Sequence, residues 1–327
     1  MEDITSQSCD MPKGNRLKFF PIMMYAIVMG MSGLTITYQK AGLWIGFPHL
    51  IGEVLMYITT SIFIVVTIIY LVKYSKYKMA VKKEFSHPIR INFFAAVSIS
   101  MLMLAIIYKE YNPTISAAFW YPGTILHFYL TMHTISFWIN SNQELGHSNP
   151  AWFIPIVGNV LVPVAGVGFA SSGVLMYFFS VGMFFWIILF SIILNRIIFH
   201  HQLAVKFMPT MFILIAPPAV GFIAYFKMFE VIDVFSIFLF SIALFFTFLV
   251  GFMYKNFIKI KFFISWWAFV FPIAAMAIAS MLMYIKTKDP IVLGLSYVMV
   301  AAVTMVIAIV IYQTIIHMLK HDICIQE

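Results

Sequence analysis

The run IGEVLMYITTSIFIVVTIIYLV, residues 51–72, holds a single charge, Glu53, near its start and none from there to Val72. A helix of this length is about 30 Å long, the thickness of a bilayer's hydrocarbon core, and it offers no polar face to water. Comparable runs occur at 19–39, 91–108, 116–139, 151–170, 172–195, 208–226, 232–254, 264–285 and 290–319. Together they predict ten transmembrane helices. Only Ala170-Ser171-Ser172-Gly173 interrupts 151–195, and one helix of that length would overrun a bilayer, so a tight turn is expected there.

Composition agrees. Of 327 residues, 63% are apolar and 10% charged, too little polar material to cover a water-soluble fold. Soluble enzymes, nucleic-acid-binding domains and secreted disulfide scaffolds are excluded. The formal charge of +8 reflects loop lysines rather than a nucleic-acid partner. With a cytoplasmic N-terminus, the ten runs leave Lys40, Lys109, Lys227, Lys286 and Lys288 outside and the other fifteen Lys and Arg inside. This asymmetry predicts that both termini are cytoplasmic in a cell (plasma or inner) membrane. Residues 1–18 and 320–327 read as polar tails flanking a body at 19–319. Cys9 and Cys324 lie in those tails and are expected as free thiols, and residues 1–18 lack a cleavable signal pattern.

Proline supplies the organisation. Pro21, Pro88, Pro150, Pro155, Pro163, Pro209, Pro217, Pro218 and Pro272 all open or interrupt odd-numbered helices, whereas even-numbered ones carry only Pro122 and the leading Pro290. Interior proline frees a backbone carbonyl, which a membrane tolerates only where protein or water can reach it. The alternation therefore predicts five helical hairpins, kinked helices inward around a central pore and plain ones toward lipid. Closure into a ring does not follow from it.

The interior offers little chemistry. No carboxylate falls at mid-membrane, which disfavours proton pumps and cation channels. Odd helices would converge their N-termini on the cytoplasmic mouth, where Arg90 adds positive charge; an anion path follows, although Arg90 could equally snorkel to headgroups. Asn92, Ser98, Ser100, Asn159, Thr210 and Ser280 are candidates for an uncharged lining or for interhelical glue. Gly30 and Gly33 permit close backbone approach. Neither His127 with His133 nor His200 with His201 has metal-ligand spacing, and no phosphate-cradling loop exists, so no metal or cofactor is expected.

Several runs resemble the family of tellurite-resistance TehA proteins and plant guard-cell slow anion channels, also called the tellurite-resistance/dicarboxylate transporter family. They are Phe20-Pro21 with Met29-Gly30-Met31; His87-Pro88-Ile89-Arg90 with Phe93; Asn149-Pro150-Ala151-Trp152-Phe153-Ile154-Pro155 through Gly158-Asn159; Ala216-Pro217-Pro218-Ala219; and Trp267-Ala268-Phe269-Val270-Phe271. The resemblance implies a homotrimer with one pore per subunit, lined by the odd helices, including Pro163, Pro217, Pro218, Asn92 and Asn159. It also implies an aromatic gate at Phe271, faced by a small residue, Gly30 or Gly33. Pro272, directly after Phe271, departs from bacterial relatives that have Gly there. The expected function is passive flux of small anions, with no enzymatic activity. The alternative is a carrier of four-carbon dicarboxylates or tellurite-type oxyanions.

Overall fold

A computed structural model describes residues 16–200, 202–320 and 322–324; Cys9, His201 and most of the expected N-terminal tail lie outside them. The described residues form twelve α-helical elements and no named strand. In chain order they are α1 (Ile22–Ile45), α2 (His49–Lys76), α3 (Lys78–Phe85), α4 (Arg90–Tyr108), α5 (Pro113–Asn140) and α6 (Pro150–Gly166). Then follow α7 (Ser172–Phe199), α8 (Val205–Phe229), α9 (Val234–Phe252), α10 (Lys255–Ile258), α11 (Ile264–Thr287) and α12 (Pro290–Leu319). Eight are long and apolar enough to cross a membrane. The expected ten is therefore not reached by that measure. Helix α6 is apolar but short, about 25 Å at 1.5 Å per residue, and α5, interrupted by polar and aromatic side chains, is not among the eight.

Two classes of helix separate by burial. In α1, α4, α8 and α11, 72% to 83% of the apolar core is buried, against 28% to 39% in α2, α7, α9 and α12. Within α6 every residue but Val164 is buried. The five buried helices touch in the cyclic order α1, α4, α6, α8, α11 and back to α1, which closes the ring that sequence left open. Each packs along the helix that follows it, α2, α5, α7, α9 or α12, giving five hairpins, and each outer helix also leans on the next inner one.

Each inner helix begins with a 3₁₀ segment: Ile22–Met24, Arg90–Phe94, Pro150–Phe153, Val205–Leu214 and Ile264–Phe269. Proline marks these entries rather than mid-helix bends. Pro155 and Pro217 occupy the first turn of the following α segments, where a missing N–H costs nothing. Pro163 is the one proline beyond the first turn of the α part of an inner helix; Pro122 is its counterpart in outer α5.

Turns are specified locally. Asn112 accepts from Thr114 and Ile115 N–H at 3.1 Å, capping α5 ahead of Pro113. Asp233 and Ser236 form a reciprocal capping box at α9. Asp289 accepts from Ile291 N–H at 2.8 Å and Pro290 starts α12. Helix α6 ends at Gly166, and Gly168 (φ +87°) turns the chain into α7, a few residues before the expected break.

Three lysines expected in outer loops belong to helices instead. Lys40 lies inside α1, Lys227 inside α8 and Lys286 inside α11. The sequence run for α1 was cut at residue 39 because Lys40 is charged; in the fold its side chain is 8% exposed and paired with Glu110, so the helix continues to Ile45.

Candidate functional site

Two cavities lie inside the ring. The proximal one, at the start of the inner helices, is bounded by Met23, Ala26 and Met29 of α1, Phe93, Ala96 and Ile99 of α4, and residues of α6, α8 and α11. It holds about 750 Å³ of unfilled space, open mouth included. The distal one, about 670 Å³ on the same measure, is bounded by later residues of the same five helices, among them Gly33, Ile106, Val164, Val220 and Ala275. All five inner helices therefore run the same way through the bundle.

Leu161 of α6 and Phe271 of α11 line both cavities, and no other described residue does. The space is thus divided by two apolar side chains. Gly33 stands beside the ring: a Cβ built there would sit 3.6 Å from Phe271 Cδ2 and 2.9 Å from Ala274 Cβ. Gly30 packs instead on Trp267, whose Cε3 would be 2.7 Å from an added Cβ, so Gly33 is the small residue next to Phe271. Trp267 is itself held by a hydrogen bond from its indole Nε1 to Thr314 Oγ1 of α12, at 3.1 Å.

Pro272 lines the proximal cavity with Phe271. Pro163, Pro217 and Pro218 are buried but line neither cavity. Asn92 and Asn159, expected in the lining, are turned into helix contacts. Asn92 donates to Pro88 and Ile89 carbonyls at 3.3 and 3.2 Å; Asn159 donates to Thr131 Oγ1 at 3.0 Å and Ile156 O at 2.9 Å. An amide buried in an apolar wall bonds a nearby backbone acceptor, here three or four residues back along the chain. Among the small polar candidates only Thr210 reaches a cavity, joined by Ser265. Both donate their hydroxyl protons to backbone carbonyls, of Phe207 and Lys206. Arg90 opens α4, half-buried, without lining the proximal cavity.

Helix N-termini do face the proximal mouth, but one is already neutralised. Ile22 N–H, in the first turn of α1, donates to Glu84 Oε1 of α3 at 2.8 Å. Glu84 Oε2 accepts from Lys73 Nζ at 2.6 Å and Tyr70 OH at 3.1 Å, and Lys73 also donates to Phe20 O at 2.7 Å. This buried cluster ties α1 to α2 and α3.

Fixed charge lies at the other mouth. Lys40, Lys109, Lys227 and Glu110 all line the distal cavity. Lys109 donates to Ala165 O at 3.0 Å and Val167 O at 2.8 Å, satisfying carbonyls at the end of α6. Burial lowers its pKa. The signal was present in sequence: each inner helix except α6 carries a lysine at or near its end, and these had been read only as loop charges.

His127 of α5 is fully buried at the α4–α6 seam, its Nδ1 2.9 Å from Ser98 Oγ. A Cβ on Gly158 would lie 2.2 Å from its Cε1 and 2.8 Å from Ile99 Cγ1. The His127 ring is fully buried and held at Ser98, so Gly158→Ala is expected to destabilise the protein by about 1–3 kcal/mol through overpacking. Thermal unfolding in detergent would read this as a clear drop in midpoint; an unchanged midpoint would mean the seam opens freely. No group of three or more His, Cys, Asp or Glu suited to a metal occurs among the described residues.

Comparison with known proteins gives one consistent picture. The sequence profile of the SLAC1 family, described as voltage-dependent anion channel, matches residues 19–315. The chain is similar to the S-type anion channel SLAH2 of Arabidopsis thaliana, with 29% identity over 91% of this chain and 59% of SLAH2. An uncharacterised transporter of Methanocaldococcus jannaschii is 27% identical over 82% of this chain and 86% of its own length. The tellurite resistance protein TehA homolog of Haemophilus influenzae is 25% identical over 64% of this chain and 65% of its own. The chain spans less than two thirds of SLAH2's length.

Proposed function

The chain belongs to the SLAC1 family of voltage-dependent anion channels, and from that premise we propose that it conducts small anions through the ring of α1, α4, α6, α8 and α11. Phe271 and Leu161 together close the path. The observation carrying this reading is that these two side chains alone border both cavities. An apolar pinch between two roomier chambers stops ions by excluding the water they need, and opening requires the Phe271 ring to turn aside. Gly33 leaves the ring space against bare backbone on one side.

Beyond the pinch, selection rests on charge sign and dehydration. The proximal cavity has only Thr210 and Ser265 as polar lining, and both hydroxyl protons are engaged. No fixed ligand set favours one anion, so weakly hydrated anions pass more readily. Three ammonium groups at the distal mouth repel cations. A carrier of dicarboxylates or oxyanions would want a discrete polar site at the midplane, and Leu161 with Phe271 do not supply one.

We further propose that residues 19–319 form the conducting body, that α5 and α6 complete ten spans, and that the proximal mouth and both termini are cytoplasmic. The subunit is proposed to work within a homotrimer, each copy with its own path. Proteoliposome flux tests the function: saturable malate exchange with no chloride flux would favour the carrier, and chloride and nitrate flux without exchange supports the channel.

A further inference from the structure

The distal cavity gathers Lys40, Lys109 and Lys227 around a single carboxylate, Glu110. Their situations differ. The ammonium of Lys109 is engaged by two carbonyls and lies 3.4 Å from the centre of the Phe169 ring. Half-buried Lys227 makes no hydrogen bond or ion pair with a described residue. Lys40, almost wholly buried, is paired with Glu110. Glu110 itself sits in the turn just after α4, its side chain 42% exposed. The carboxylate therefore approaches the ammonium group from the wet side, as an ion from solution would. Being half-exposed, its side chain can turn into solvent without moving a helix.

We propose that Glu110 is a tethered anion, occupying the cation cluster of the distal mouth, and that a solute anion entering from that side displaces it from Lys40. The inference rests on reading the ring as an anion path, but concerns how anions are taken up, not how the pinch opens. An ion pair with one half-exposed member is weak, so millimolar chloride or nitrate can compete with it. A pair buried at both ends would not yield in this way. With Glu110 seated, the charges lining the cavity sum to +2; with it withdrawn they sum to +3, Glu230 acting on Lys227 from outside the lining in both cases. Glu110 thereby sets the affinity of the mouth without touching Phe271.

The test is equilibrium binding of chloride to the purified protein, read as chloride-35 line broadening in detergent, which needs no conduction. Glu110→Gln should lower the half-saturating chloride concentration about five-fold, an effect of roughly the size of one exposed ion pair. Glu110→Asp, which keeps the charge but shortens the reach, should fall between. In a Lys40→Met background Glu110→Gln should lose most of its effect, because the two residues act on one another. Unchanged affinity in Glu110→Gln, an equal gain without Lys40, or no saturable broadening in any variant would overturn the proposal. Because binding is measured without flux, a failure here is separate from a failure of the channel reading.

Discussion

Phe271→Ala is expected to raise anion current by roughly ten- to a hundredfold. Removing the ring joins the proximal and distal cavities past Leu161, the one other side chain common to both. Lowering a dewetting barrier by ~1.4–2.8 kcal/mol gives that range of rates. Leu161→Ala acts in the same direction and less strongly, having a smaller side chain to lose. Phe269, two positions earlier, is packed edge-on to Phe212 at 4.7 Å and lines neither cavity. Phe269→Leu should leave the current near wild type. Chloride efflux from proteoliposomes, normalised to incorporated protein, separates the three variants. Equal currents from Phe271→Ala and wild type would remove Phe271 from the barrier.

The second large effect concerns stability. Lys73 and Glu84 are each 3% exposed, and their pair also satisfies Ile22 N–H, Phe20 O and Tyr70 OH. Glu84→Gln leaves the Lys73 ammonium buried without its counter-charge, which costs about 3–5 kcal/mol. The start of α1 loses the carboxylate that matches its dipole as well. Replacing both partners by methionine is not a neutral repair, because Ile22 N–H and Phe20 O would then lose their partners. Unfolding in mixed micelles should show a large loss for Glu84→Gln. A loss below about 1 kcal/mol would mean that water reaches the pair, since that is the worth of an exposed one.

Most of the architecture was legible because a bilayer leaves few solutions. Uncharged runs gave the helices, and the unequal sharing of proline between alternate runs separated inner from outer ones before any packing was visible. The local part that proline plays was less legible. Pro155 and Pro217 mark junctions between 3₁₀ and α segments, a distinction that hydrophobic periodicity does not carry. The lining was less legible. Asn92 and Asn159 looked like pore residues because they are polar in apolar helices, yet a buried amide N–H can bond nearby backbone carbonyls as readily as a solute. Leu161 could not be singled out among many leucines; only its place on the wall of both cavities distinguishes it. The choice between Gly30 and Gly33 turned on one helical step, which sequence spacing does not resolve. Lys40, Lys109 and Lys227 were the avoidable omission. Treating charge as the end of a helix hid a recurrence at the ends of four inner helices.

The most direct measurement is the reversal potential of Phe271→Ala channels in a planar bilayer under a potassium chloride gradient. An apolar pinch in a carboxylate-poor ring with ammonium groups at one mouth predicts a reversal close to the chloride equilibrium potential, shifting little when sodium replaces potassium. A reversal near the potassium equilibrium potential, or no current above that of the bare bilayer, would contradict the account.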